Sequence, residues 1–169
     1  MEFIADGMLG KLTRWLRLAG EDVLSVNDYD VPSEEEDEFL LEKAAEEDRI
    51  LITRDLDLHR RALRRGLRSV LVENEGKVPE QMIEVSDYVG EVFEIDMGES
   101  RCPVCNGNLA EADKRAVRGD VPDAVLKGNE SFWKCGECGK VYWPGSHWEN
   151  IADTIKKYDE LKGDFSGNS

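Results

Sequence analysis

Across residues 1–96, short apolar runs alternate with longer stretches whose hydrophobic positions recur at helical spacing. Phe3-Ile4-Ala5 is a brief apolar run that ends at Asp6 and reads as a strand. Leu9, Leu12, Leu16 and Ala19 then repeat at three- and four-residue intervals, predicting a helix that Gly20 closes. Residues 23–26 form the next candidate strand. Ser33 followed three positions later by Glu36 has the form of a capping box, so a helix is expected over about 34–47. Ile50-Leu51-Ile52-Thr53 is uninterrupted enough for a buried strand, and a helix over about 57–65 follows it and stops at Gly66. Residues 69–72 predict a strand, Pro79 opens a further helix, and residues 92–95 predict a last strand. Strand and helix signals in alternation are the form of an α/β fold built on a parallel sheet.

After residue 96 the pattern changes. Residues 96–100 read as a hinge, and 101–148 carry closely spaced Cys, Gly and aromatic residues in place of helical periods. Cys102-Pro103-Val104-Cys105 and Cys135-Gly136-Glu137-Cys138 are two Cys-x-x-Cys knuckles, and they use all four cysteines of the chain. Two such pairs supply the four soft ligands of a closed tetrahedral zinc site, so Cys102, Cys105, Cys135 and Cys138 are expected to hold a structural zinc ion. A rubredoxin-like iron or a redox dithiol is the alternative. Gly107 and Gly139 suit the left-handed backbone that knuckle turns often need. The module predicted over 101–148 contains an insert at 113–130 with no motif of its own. Residues 149–162 return to helical spacing with Ile151, Ile155 and Tyr158 on one side, and 163–169 are expected to be a disordered tail.

The formal net charge of −15 disfavours indiscriminate nucleic-acid binding. Its distribution changes the picture. Residues 34–48 hold nine acids against Lys43, whereas residues 49–68 hold seven arginines against Asp55 and Asp57. Charge alone favours two solvated helix faces of opposite sign. No apolar run is long enough to span a bilayer, and the N-terminus has an acid where a signal peptide is basic and then apolar, so no membrane association and a cytoplasmic location are expected.

Asp6, Asp55 and Asp57 are predicted at or just past the C-terminal ends of strands, the edge where open α/β sheets bind ligands. Asp37 falls in the first turn of the acidic helix. Converging carboxylates make a hard, oxygen-lined site for Mg²⁺ or Mn²⁺, able to serve phosphodiester hydrolysis. Each acid alone has a plainer explanation, as a helix cap or as solvent-facing charge, and the chemistry rests on their joint placement.

The run Ile50-Leu51-Ile52-Thr53-Arg54-Asp55-Leu56-Asp57 resembles the strand-and-acid signature of PIN-domain nucleases, and Asp37 stands 18 positions before Asp55, matching their spacing. Residues 5–17, Ala5-Asp6-Gly7-Met8-Leu9-Gly10-Lys11-Leu12-Thr13-Arg14-Trp15-Leu16-Arg17, the two knuckles, and Val141-Tyr142-Trp143-Pro144-Gly145-Ser146-His147-Trp148 together resemble the Mut-seven C-terminal RNase family, small PIN-like domains with an appended zinc ribbon. The resemblance implies a PIN-like parallel sheet flanked by helices, a C-terminal zinc ribbon, and metal-binding catalytic acids at Asp6, Asp37, Asp55 and Asp57. The further Glu that typical PIN domains carry on a middle helix has no clear match here.

Lys11, Arg14 and Arg54 lie close enough in sequence to the acids to contact substrate phosphates, with Arg17 and the arginines at 60, 61, 64 and 65 as weaker candidates. His147 is a candidate phosphate contact, or a hydrogen-bond donor joining ribbon to sheet. Trp133, Tyr142, Trp143 and Trp148 are expected mainly to pack the small core beside the metal. The sequence therefore supports a Mg²⁺- or Mn²⁺-dependent ribonuclease with RNA as partner. The alternatives are a non-catalytic RNA- or protein-binding module that docks through its ribbon and, more weakly, a thiol redox protein.

Overall fold

A computed structural model describes the backbone of residues 1–145 and 147–166 and the side chains of 1–145 and 151–163. Four parallel strands, β1 (Glu2–Ala5), β2 (Asp22–Ser25), β3 (Ile50–Thr53) and β4 (Ser69–Leu71), form a sheet in the order β2-β1-β3-β4. Helices α1 (Gly10–Leu18), α2 (Glu36–Glu47), α3 (Leu56–Arg64) and α4 (Val78–Val89) connect and cover them. The fold is thus α/β with helices on both faces of a parallel sheet, as the alternating pattern predicts.

Side-chain alternation along the central strands divides the core in two. Phe3, Ala5, Ile50 and Ile52 face one layer, where they meet Leu12 and Leu16 of α1 and Met82 and Val85 of α4. Ile4 and Leu51 face the opposite layer and pack on Leu40, Leu41 and Ala44 of α2 and Leu58 and Ala62 of α3. The helix that follows β1 therefore lies on one face and the helix that follows β3 on the other. From β1 the chain winds outward to β2, and from β3 outward to β4, so the sheet reverses its direction of growth between β1 and β3.

The second part is a three-stranded antiparallel sheet, β5 (Leu109–Ala112), β6 (Phe132–Cys135) and β7 (Val141–Tyr142), in sequential order. The 113–130 insert holds two short helices, α5 (Lys114–Val117) and α6 (Asp123–Gly128), and Val117 and Val121 pack on Phe132 and Val141 to give the ribbon its own small core. Helix α7 (His147–Ser166) leaves the ribbon and returns to the first sheet. Its Tyr158 is 3% exposed, joins the layer under α4, and exchanges hydrogen bonds with Ser86 Oγ (2.7 Å) and Phe93 N (2.9 Å).

Three local expectations change. Residues 92–95 form no strand, because Phe93 turns inward to stack edge-on with Phe3 and gives its amide to Tyr158. Ser33 opens a single 3-10 turn (Ser33–Glu35) instead of capping α2, and α2 starts at Glu36 without a side-chain cap. Helix α7 runs through Gly163 to Ser166, into the expected tail; Leu161 packing on the core offsets the roughly 1 kcal/mol that a mid-helix glycine costs. Residues 167–169 lie outside the described residues.

Because the sheet separates the two layers, Leu16→Ala and Leu41→Ala should each lower the unfolding free energy by about 2–5 kcal/mol, and the double variant should lose the sum. Urea titration measures this, and clear non-additivity would contradict two independent layers.

Candidate active site and metal centre

Asp6 leaves the C-terminal end of β1 in extended conformation and starts a 3-10 turn. Its amide donates to Ile52 O (3.1 Å), which continues the β1–β3 pairing one residue beyond the strand. The carboxylate is 8% exposed as a residue and accepts three hydrogen bonds: from Met8 N at 2.9 Å, Thr53 Oγ1 at 2.5 Å and Arg54 N at 3.1 Å. Thr53 is fully buried, and its hydroxyl in turn accepts from Asp55 N at 3.0 Å. One hydroxyl thus fixes Asp6 and the backbone of Asp55 relative to each other across two neighbouring strands. Asp55 caps α3 by accepting from Leu58 N (3.1 Å), and Asp57 sits exposed in the first turn of that helix. Asp6 and Asp55 consequently flank the point where the sheet reverses, the usual ligand crevice of such folds.

Asp37 is held differently. Arg61 of α3 pairs with it at 3.2 Å and with Glu38 at 3.2 Å, and Arg65 also reaches Glu38 at 2.8 Å. The acidic and arginine helices therefore partly neutralise each other across one layer. Among the described residues, no three carboxylates bring their oxygens within 4.8 Å of one another; only the cysteines form so tight a group of metal-ligating atoms.

A recess of about 290 Å³ opens beside Met8 and is lined by Lys11, Arg54, Gly76 and Gln81 among others. Lys11 and Arg14 project from α1, exposed and without ion-pair partners among the described residues. Arg54 pairs with Glu75 at 3.1 Å, while its buried Nε has no hydrogen-bond partner among the described residues. Arg17, a weaker candidate phosphate contact on sequence, is instead 2% exposed, with its guanidinium bonded inward to Val23 O and Asp28. The side chain of His147, the remaining candidate contact, lies outside the described residues, as does that of Trp148.

The four sulfurs of Cys102, Cys105, Cys135 and Cys138 lie within 4.8 Å of one another. Their closest approaches, 3.4 Å for Cys105–Cys135 and 3.8 Å for Cys102–Cys138, are far beyond a disulfide bond of about 2.05 Å. They match the roughly 3.8 Å edge of a tetrahedron whose centre bonds each sulfur at about 2.3 Å. The cluster is shaped for zinc. Amides of Glu137 (3.4 Å) and Cys138 (3.5 Å) point at Cys135 Sγ. Burial raises the Cys135 thiol, but these amides outweigh it and bring the group down to about 7, whereas burial pushes Cys105 up to about 12. Tyr142 Oη lies 3.0 Å from Cys102 Sγ; burial and that sulfur both raise its pKa, which keeps it a neutral donor. Trp133 and Tyr142 pack against the cysteines and Trp143 against the ribbon core, as expected of rings beside a metal.

Gly139 has the anticipated left-handed backbone (φ +74°), but in the first knuckle that conformation belongs to Asn106 (φ +69°). Gly107 is required for space instead, since a Cβ there would lie 2.8 Å from Cys135 Sγ. Three roles come to light in the structure: Tyr142 beside the Cys102 sulfur, Asn106 as the left-handed turn of the first knuckle, and the Thr53 hydroxyl as a bridge between Asp6 and Asp55. A hydroxyl between an apolar strand and an acid was the visible trace of the last.

Gly107→Ala should therefore reduce zinc affinity about tenfold or more, the scale on which neighbours of metal ligands act. Competition with a chromogenic chelator reads this, and unchanged affinity would show that the knuckle can shift at no cost.

No helix among the described residues is long and apolar enough to cross a membrane. No curated protein and no solved structure matches the chain. The family model described as the Mut7-C RNAse domain matches residues 1–155, which spans the sheet, the acid edge, the ribbon and the start of α7. The chain belongs to the Mut7-C RNAse domain family.

Proposed function

We propose that the protein is a divalent-metal-dependent ribonuclease that hydrolyses RNA phosphodiester bonds at the edge defined by Asp6 and Asp55, with the zinc ribbon aiding RNA or partner binding. The observation that carries this reading is the Asp6–Thr53–Asp55 bridge at the reversal point of the sheet, in a chain of an RNAse-domain family. Asp6, Asp37, Asp55 and Asp57 offer only oxygen donors, which suits Mg²⁺ or Mn²⁺. A bound divalent ion would stabilise charge on the reacting phosphate and lower the pKa of a water.

The chain's own residues do the positioning. Thr53 holds Asp6 at a fixed angle, so the carboxylate pays little to order itself when substrate arrives. Lys11 and Arg14 attract the RNA backbone toward the recess. Arg54 lines the recess, where its guanidinium offers charged donors to a phosphate oxygen. Recruiting Asp37 requires it to leave Arg61, and that ion pair is part-exposed, where such bonds are worth about 1 kcal/mol or less.

The second reading, RNA or protein binding without turnover, draws on the same geometry. Asp6 already has three donors, Asp37 faces an arginine, and the acids do not converge as the cysteines do.

The deciding measurement is cleavage of end-labelled single-stranded RNA in Mg²⁺ or Mn²⁺. Asp6→Asn and Asp55→Asn should each slow it at least about a hundredfold, with circular dichroism and zinc content unchanged. Equal cleavage by these variants would identify a contaminant and defeat the nuclease reading; binding without cleavage in either metal would establish the second.

A further inference from the structure

The first knuckle does not hang free of the α/β sheet. Arg17, buried near the end of α1, donates from Nε (2.9 Å) and Nη2 (2.7 Å) to Val23 O on the edge strand β2. Its Nη1 reaches Pro103 O (3.1 Å) and Val104 O (3.4 Å), the two carbonyls between Cys102 and Cys105. Nη2 also pairs with Asp28 at 2.7 Å. Asn106 completes the join, accepting from Val23 N at 3.0 Å and donating to Asp22 at 2.8 Å. Arg101 N donates to Arg17 O at 2.8 Å.

The contacts continue toward the acid edge. The Asp28 carboxylate that receives Arg17 also accepts from Ser25 N (3.0 Å), and Ser25 Oγ accepts from Asn27 N (3.2 Å), fixing the turn after β2. Asn27 Nδ2 donates to Gly7 O at 3.1 Å, in the residue next to Asp6. Gly7 leaves the room this contact needs: a Cβ there would lie 2.9 Å from Asn27 Oδ1. Gly7 is followed by Met8, whose amide orients the Asp6 carboxylate.

We infer that Arg17 is a positioning residue that couples the zinc knuckle to the turn aiming Asp6, through Asp28 and Asn27. A knuckle closed on zinc presents its two carbonyls to the guanidinium in fixed positions. A knuckle without zinc leaves a buried cation short of acceptors, and the guanidinium then redistributes its bonds at the expense of Asp28. Linkage makes the effect reciprocal: loosening Asp28 must weaken the hold on zinc. For its consequence to catalysis the inference rests on the nuclease reading; the coupling itself does not.

The test uses full-length, zinc-loaded protein and two readouts that need no turnover. Amide hydrogen exchange at Met8 reports the Asp6 turn, and the half-time of zinc transfer to a chelator reports the knuckle. Asp28→Asn keeps an acceptor for Ser25 N but removes the charge that Arg17 pairs with. It should accelerate both Met8 exchange and zinc release, each about fivefold or more. Lys134→Ala, which breaks the exposed Lys134–Asp120 pair on the ribbon, should change neither. Should Asp28→Asn fail to fold, Arg17→Lys replaces it, since an ammonium keeps the charge but cannot fork between carbonyl and carboxylate. Acceleration of only one readout, or of neither, overturns the coupling. Absence of RNA cleavage in the wild type would remove the nuclease reading and leave these two results standing.

Discussion

The parallel pairing of β1 with β3 is the constraint on which the rest depends. These strands are neighbours in space, but their paired residues stand 47 positions apart in sequence, with Ala5 opposite Ile52 in register. That register places Asp6 level with Thr53, so a buried hydroxyl can serve an acid on one strand and an amide on the other. A shift by one residue would exchange the faces of Ile50, Leu51 and Ile52 between the two core layers. Because both layers are filled, the hydrophobic pattern fixes the register and, with it, the geometry of the acids. Site and core are specified by the same alternation.

Much of this was legible in the sequence, for identifiable reasons. Uninterrupted apolar runs such as Ile50-Leu51-Ile52 mark buried parallel strands, and the four sheet strands lie within about a residue of their expected bounds. The cysteine spacing likewise gives the metal group. What escaped depends on distant partners. Phe93 stays out of a strand because Tyr158, from the far end of the chain, takes its amide. Arg17 lies at helical spacing from Lys11 and Arg14, but the twist of α1 and the arrival of the knuckle turn it inward, while the other two remain in solvent. Spacing alone could not separate an arginine that meets solvent from one that meets Pro103 and Val104.

Charge also reads differently once folded. An overall −15 repels RNA at long range, yet the acids are not spread evenly. Glu38 and Asp37 are spent on Arg61 and Arg65, and Asp22 and Glu47 on Arg49. Burial raises the Asp22 carboxyl, but hydrogen bonds from Arg49 and Asn106 more than compensate and hold it below the ordinary range. Lys11 and Arg14, exposed near the start of α1, stay uncommitted beside the acid edge. For a phosphate within the roughly 8 Å screening length at physiological salt, that local pair counts for more than the net charge, because the more distant acids are screened.

An edge strand such as β2 presents unpaired amides and carbonyls that invite association with other chains. Here the knuckle covers it, with the Asn106 amide standing in for a neighbouring strand at Val23 and Arg17 taking the Val23 carbonyl. The ribbon is then tied to the sheet at both of its ends: by the knuckle at β2, and by α7, whose Tyr158 is anchored under α4. Two attachments to the α/β part, one at β2 and one under α4, limit how far the ribbon can swing. β2 leads directly into the turn that carries Asp28, and α1 carries both Arg17 and Lys11. A metal with no open coordination position would bear on the acid edge only through the scaffold, and the knuckle's bonds to Arg17 and Val23 are where that influence would pass.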